Sequence, residues 1–337
     1  MAPDPNTFRC SYHVSYEADS DPEADLGSDV LAHIRFGSGL GLHGDPRRIN
    51  VALPQLSTAP LAEVWRSRCP VVRGHDHDVV YACNGDVLFG QLRLDGPELA
   101  DLDHATTHAY RRIEALMQGQ GYPYPLRMWN FVPHINYGRG DAERYRLFSQ
   151  GRFNSLASKA GFETVLPAAT AIGTREEGVT LYFLAAREPG EQVENPRQVS
   201  AFHYPPVYGP TSPSFSRAYL KHWADGIHLF VSGTASVVGH RSLHPRDPLA
   251  QLDETHRNIA ALLERAAELK PTAGPFHTAA LKMYVRNAED WPLLLPRVQS
   301  LFGRDTPLLA LAGDICRRDL LLEIEGLYTA SPRQAAA

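Results

Sequence analysis

Residues 187–217, REPGEQVENPRQVSAFHYPPVYGPTSPSFSR, constrain this chain most, because they carry six prolines and no helical or strand periodicity. A stretch of this kind is loop, and a loop of this length inside a compact chain is either disordered or functional. Phe202, Tyr204 and Tyr208 argue against disorder, which is poor in aromatic rings. A packed loop that forms a site is therefore expected. It also divides the chain, so that elements on its two sides can be compared.

Before the loop, DVVYACNGDVLFGQLRLD alternates apolar and polar residues around Asn84-Gly85. That dipeptide accepts the positive φ angles of a tight turn, which predicts a hairpin. Leu102, Ala105, Ala109, Ile113 and Leu116 then recur at helical spacing. LRMWNFVPHI reads as a strand, and DAERYRLFSQGRFNSLASKAG reads as a second helix capped by Asp141. After the loop, IHLFVSGTASVVG reads as a strand entering a turn. Leu252, Ile259, Leu262, Leu263 and Ala266 mark an amphipathic helix. AALKMYVRN is a strand, AEDWPLLLPRVQSLFG a helix ended by Gly303, and TPLLALAGDI and DLLLEIEGLYTA two last strands. The expected fold is mixed α+β, with two halves of order β-α-β-α-β-β. Boundaries are expected at 1–186, 187–217 and 218–330. The first thirty residues, rich in Asp, Pro and Ser, read as an edge strand or a loose terminus.

Composition excludes several functions. Lys and Arg number 33 against 38 Asp and Glu, a net charge of -5, which gives no basic field for nucleic acid. No apolar run reaches the ~20 residues that span a bilayer. The opening MAPDPNTFRCSYHV lacks a basic region followed by an apolar one, so a cytoplasmic location is expected. Cys10, Cys69, Cys83 and Cys316 form no C-x-x-C pair and are expected to be reduced.

Several tempting motifs carry no chemistry. Gly37, Gly39 and Gly41 miss the spacing of a dinucleotide loop. His75 and His77 in GHDHD lack a third metal ligand, so no metal is expected. Ser232 and Ser236 have no serine-hydrolase elbow around them.

Arginines, tyrosines and glutamates remain. Arg139, Arg152 and Arg217 could grip carboxylates through two parallel hydrogen bonds, with Tyr204 and Tyr208 adding neutral ones. Taken singly, each arginine could equally sit in a surface ion pair. In LLLEIEGL, Glu323 and Glu325 alternate with apolar residues and face one side of a strand. Either they line a cavity, where burial would raise a carboxyl pKa and make a general acid, or they form a solvated face.

Three segments, LFVSGTASVVGH, QLDETHRNIAALLERA and LKMYVRNAEDWPLLLPRVQSLFGRDTPLLALAGDICRRDLLLEIEGL, resemble the Rid family of small trimeric proteins over residues 226–328. Gln251 and Asn258 match its helix pattern. Nearly the whole chain resembles the chorismatases, through ERYRLFSQGR, YPPVYGPTSPSFSRA, VSGTAS and GDICRRDLLLEIEG. The resemblance implies two Rid-like (YjgF-like) halves packed as a pseudo-repeat, no cofactor, and chorismate as substrate. It places the general acid at Glu323, carboxylate-holding arginines at Arg139 and Arg152, and a ring-side tyrosine at Tyr204, with Tyr208 and Arg217 in the same motif. Gly233 and Cys316 occupy two positions that separate the family's branches. They imply pyruvate with 3-hydroxybenzoate as the main product, and 4-hydroxybenzoate in some members. The alternatives are a chorismate hydrolase releasing a dihydroxycyclohexadiene carboxylate, or a Rid-like imine hydrolase or small-acid binder. Monomer and trimer both remain open.

Overall fold

Alternation of apolar and polar residues becomes strand in both halves, and 3.6-residue spacing becomes helix. The computed structural model describes residues 12–19, 25–39, 44–57 and 59–332; Cys10 and Gly41 lie outside them. Among the described residues, three large sheets and one two-stranded sheet result. The first contains β1 (Tyr12–Ala18), β2 (Val30–Phe36), β3 (Arg48–Val51) and β4 (Leu61–Ser67), in the order β1-β4-β2-β3. Sequence reading predicted at most an edge strand in this region. Here Trp65 and its neighbours pack inward, so the segment is a full layer.

The second sheet contains β5 (Val72–Asp76), β6 (Val79–Cys83), β7 (Val87–Leu94), β8 (Tyr124–Pro133), β9 (Ala168–Thr174) and β10 (Val179–Ala186). The predicted hairpin is β6–β7; the Asn84 side chain closes it by accepting from the Asp86 and Val87 N–H groups, both at 2.9 Å. The third sheet contains β11 (Glu191–Val193), β12 (Ala218–Trp223), β13 (Gly226–Thr234), β16 (His277–Val285), β17 (Leu308–Ala312) and β19 (Leu322–Ala330). Between them, β14 (Val237–Val238) and β15 (Arg241–Ser242) pair with each other, and β18 (Asp314–Ile315) crosses over to pair with β9.

The two larger sheets repeat one topology. Their strands run β6-β7-β10-β8-β9 and β12-β13-β19-β16-β17, each with three antiparallel pairings followed by one parallel pairing. The crossovers are α1 (Leu102–Gly119) and α2 (Arg144–Leu156) in the first unit, and α3 (Pro248–Leu269) and α4 (Trp291–Phe302) in the second. The β-α-β-α-β-β order expected for both halves is therefore present in each.

Local chemistry explains the helix ends. Asp101 and Asp247 cap α1 and α3 by accepting the His104 and Ala250 N–H groups. The expected cap at Asp141 does not form. Asp141 lies in a short 3₁₀ turn, and the extended Glu143 that follows delays α2 until Arg144. Gly151 does not weaken α2. A Cβ there would stand 2.3 Å from the Asp103 carbonyl oxygen, so glycine is what lets α2 lie directly on α1.

Helices cover one face of each larger sheet: α1 and α2 bury one apolar cluster, α3 and α4 another. The opposite faces meet the amino-terminal sheet in a third cluster, which includes Trp65, Phe89, Trp129, Tyr182 and Tyr284. Fully burying side chains of this size contributes roughly 1.5–3 kcal/mol each. No helix among the described residues is long and apolar enough to cross a membrane.

Candidate active site

The seam between the two repeated units opens into a cavity of about 510 Å³, closed on one side by the proline-rich loop. Its base is built from β19 and a bulge in β13. Val231 pairs with Gly326 but Thr234 pairs with Ile324, so β13 carries one extra residue at this point. Ser232 fixes the bulge: its hydroxyl donates to the Ser216 carbonyl at 2.6 Å and accepts from the Ala169 N–H at 2.8 Å. Gly233 is thereby turned against Glu323. A Cβ at 233 would lie 1.9 Å from Glu323 Oε1.

Glu323 lines the cavity, is only 4% exposed, and has no hydrogen-bond or ion-pair partner among the described residues. Burial, reinforced by the nearby Glu325 charge and only partly opposed by Arg127 and Arg217, pushes its carboxyl up to about 8. It therefore holds a proton near neutrality. Cys316 packs beside it. Burial first, and then Glu323, push that thiol up to about 12, so Cys316 is neutral.

Guanidinium groups face this acid. Arg152, on α2, is buried against the Tyr110 ring at 5.2 Å and has no counter-ion among the described residues. The Arg217 side chain donates to Tyr204 Oη at 2.6 Å and to the Val199 carbonyl at 2.7 Å and forms no ion pair among the described residues, although its backbone N–H donates to the nearby Glu194 carboxylate at 3.2 Å. Burying a cation without its anion is costly, and an anionic ligand would relieve that cost. Tyr204 and Tyr208 come from the loop, as expected, and Arg317 stacks 3.9 Å from the Tyr208 ring centre. A tilted contact at 5.4 Å joins the two tyrosines.

Seven of the expected residues thus meet: Glu323, Cys316, Gly233, Arg152, Tyr204, Tyr208 and Arg217 all line the cavity. Arg139 does not. It is exposed at the head of the 3₁₀ turn before α2 and does not line the cavity. Arg146 and Arg317, which do line it, escaped sequence reading. Both lie inside segments already conspicuous there, Arg146 two residues after Arg144 in ERYRLFSQGR and Arg317 next to Cys316. Glu323 and Glu325 do share a face, but they have different surroundings. Glu325 bonds Arg127 at 2.7 Å, Lys282 at 2.9 Å and the Trp129 indole N–H at 2.7 Å. Burial raises its pKa, but Lys282 and Arg127 outweigh that and leave it lowered and ionised. Among the described residues no group of His, Cys, Asp or Glu could hold a metal ion; His75 and His77 are exposed.

A carboxyl kept protonated by burial, sharing a cavity with buried arginines at the seam of two units of like topology, makes a site suited to a small anionic ligand. The sequence comparisons give the family of the chain. The chain is 38% identical over 317 residues to "3-hydroxybenzoate synthase" of Streptomyces hygroscopicus, covering 90% of this chain and 92% of that protein. It is 33% identical to "Chorismatase" of the same organism, covering 94% of each chain. The family "Chorismatase FkbO/Hyg5-like, N-terminal" matches residues 63–185. A crystal structure of a chorismatase superposes with a TM-score of 0.83 at 31% identity, over 94% of this chain and 98% of the other. The chain belongs to the chorismatase family.

Proposed function

We propose that this enzyme cleaves chorismate to pyruvate and, as main product, 3-hydroxybenzoate, with Glu323 as general acid. The single observation that carries the reading is the protonated Glu323 carboxyl, unpartnered among the described residues, in a cavity shared with the buried Arg152, which has no counter-ion among them. Chorismate brings the two missing carboxylates. Arg152 and Arg217 are suited to hold them, because a guanidinium grips a carboxylate in a fixed geometry. Tyr204 and Tyr208 flank the ring.

Glu323 delivers its proton to the terminal methylene carbon of the enolpyruvyl ether, which becomes the methyl group of pyruvate. The cation formed at the adjoining carbon is stabilised by the ether oxygen. The ring C–O bond then breaks, and its electron pair becomes part of the pyruvate carbonyl. The neighbouring ring hydroxyl oxygen bonds to the vacated carbon and gives its proton to the Glu323 carboxylate; its bond to the original ring carbon then breaks, and the transferred oxygen takes that proton back. Loss of a ring proton, returned to the Glu323 carboxylate, aromatises the ring. No water is consumed: chorismate divides into hydroxybenzoate and pyruvate with every atom placed. Preorganised charge and proton delivery of this kind are each worth several kcal/mol of barrier.

Exclusion of water decides between phenol and diol. Gly233 leaves room for the Glu323 carboxyl to sit close to the strand, and the neutral Cys316 thiol occupies volume beside it. That pairing supports the hydroxybenzoate outcome over hydrolysis. The test is to incubate purified protein with chorismate, follow pyruvate release, and chromatograph the aromatic products against 3- and 4-hydroxybenzoate and the diol. Absence of pyruvate removes the activity. A diol as main product removes the product assignment alone.

A further inference from the structure

Behind the acid lies a second set of charges that the proton transfer does not touch. Glu63 on β4, Arg127 on β8, and Lys282 and Glu325 on β16 and β19 bring together one or more residues from each of the three sheets, all nearly inaccessible to water. Lys282 Nζ lies 2.8 Å from Glu63 and 2.9 Å from Glu325. Two anions and two cations balance. The Trp65 and Trp129 indoles each donate to one of the carboxylates.

A cluster that merely held the sheets together would need no route to the cavity. This one has a route. The Arg127 guanidinium that grips Glu325 also donates to the Thr170 hydroxyl, and Thr170 lines the cavity. The Gly233 N–H donates to the same hydroxyl at 3.0 Å, and Gly233 is the residue against which Glu323 packs. Glu325 also stands two residues from Glu323 on the same face of β19. We infer that the Glu63–Lys282–Glu325–Arg127 cluster belongs to the acid's machinery, with Glu325 the fixed negative charge that keeps a proton on Glu323 and Arg127–Thr170 the brace that sets its position. Glu325 is a positioning residue, since it touches neither cavity nor substrate.

The surrounding groups make the expected directions definite. Glu323 is faced by Tyr145 from α2, Cys316, Arg217, Arg127 and Glu325. The cluster is faced by Tyr16, Tyr182 and Tyr284, all raised mainly by burial and therefore neutral. Only the cluster's own balance changes when one member is replaced.

The inference rests on Glu323 being the acid, so its test reads Glu323 directly. The infrared carbonyl band of the protonated carboxyl, assigned by its loss in Glu323→Gln, is followed against pH, together with the alkaline limb of pyruvate release from chorismate. In Glu325→Gln the titration should move down by about one pH unit. Lys282→Met should move it up, and the double variant should return it towards the wild-type position. Glu63→Gln, remote from the cavity, should move it down by less. A merely structural role would lower stability or rate without these opposed displacements. An unmoved titration in the folded variants overturns the inference. If Glu325→Gln fails to fold, Glu63→Gln decides by the same criterion. Band displacements without any pyruvate release would leave the inference standing and remove the proposed reaction.

Discussion

The Glu323 carboxyl fills the space in which a side chain at residue 233 would begin, 1.9 Å from an added Cβ to Oε1. The acid's position and the absence of a side chain on β13 are therefore one structural fact.

Gly233→Ala should force the carboxyl to rotate away from its present place. Because misplacing a reacting group by about 1 Å can cost about 10²-fold, kcat should fall by roughly that factor. Combined with Cys316→Ala, the change should shift product towards the diol, read by chromatography. An unaltered product profile would dissociate these two residues from water exclusion.

Glu323→Gln keeps the shape of the acid and removes its proton. Turnover should fall by at least about 10²–10⁴-fold, while chorismate binding by calorimetry should change little. Retained turnover would mean that another group supplies the proton.

Two pH dependences follow from a carboxyl raised to about 8. The acid works only when protonated, so activity should decline as pH rises through that region. For stability, the folded state holds this proton more tightly than the unfolded chain does. The resulting stabilisation is complete below the ordinary carboxylate range and is lost as pH rises towards 8. Glu323→Gln should accordingly match wild type in melting temperature only below the ordinary carboxylate range and exceed it by a growing margin as pH rises to about 8, as read by calorimetry across pH.

Arg152 and Arg139 should behave differently despite their shared expectation. Arg152→Ala removes a buried cation without a counter-ion, so the protein should fold normally while KM rises about ten- to hundredfold, the worth of a charged hydrogen bond. Arg139→Ala, at an exposed position outside the cavity lining, should leave KM within about twofold. Equal effects in steady-state kinetics would bring Arg139 back to the substrate.

Residues close in the chain explain what could be read before any coordinates. Alternation in LLLEIEGL put Glu323 and Glu325 on one face, and Asn84-Gly85 announced the β6–β7 turn. The different fates of the two glutamates were not legible, because Glu325 is held by Arg127, 198 residues away. The amino-terminal layer was missed for a similar reason: what makes it a layer is packing of Trp65 against β7 and β8 rings rather than a pattern of its own. The Asp141 cap failed on a local detail, one extended residue at Glu143. Arg139 and Arg152 looked alike as residue types in short motifs, and only the packing of α2 on α1 through Gly151 aims one of them inward.

Arg152 rides on a helix of the first repeat and Glu323 on a strand of the second. Competence is thus a property of the alignment between repeats, which neither possesses by itself. A perturbation that slides one against the other by an ångström would silence turnover while circular dichroism still registered both units folded, making the reaction rate the finer gauge of how the two units dock.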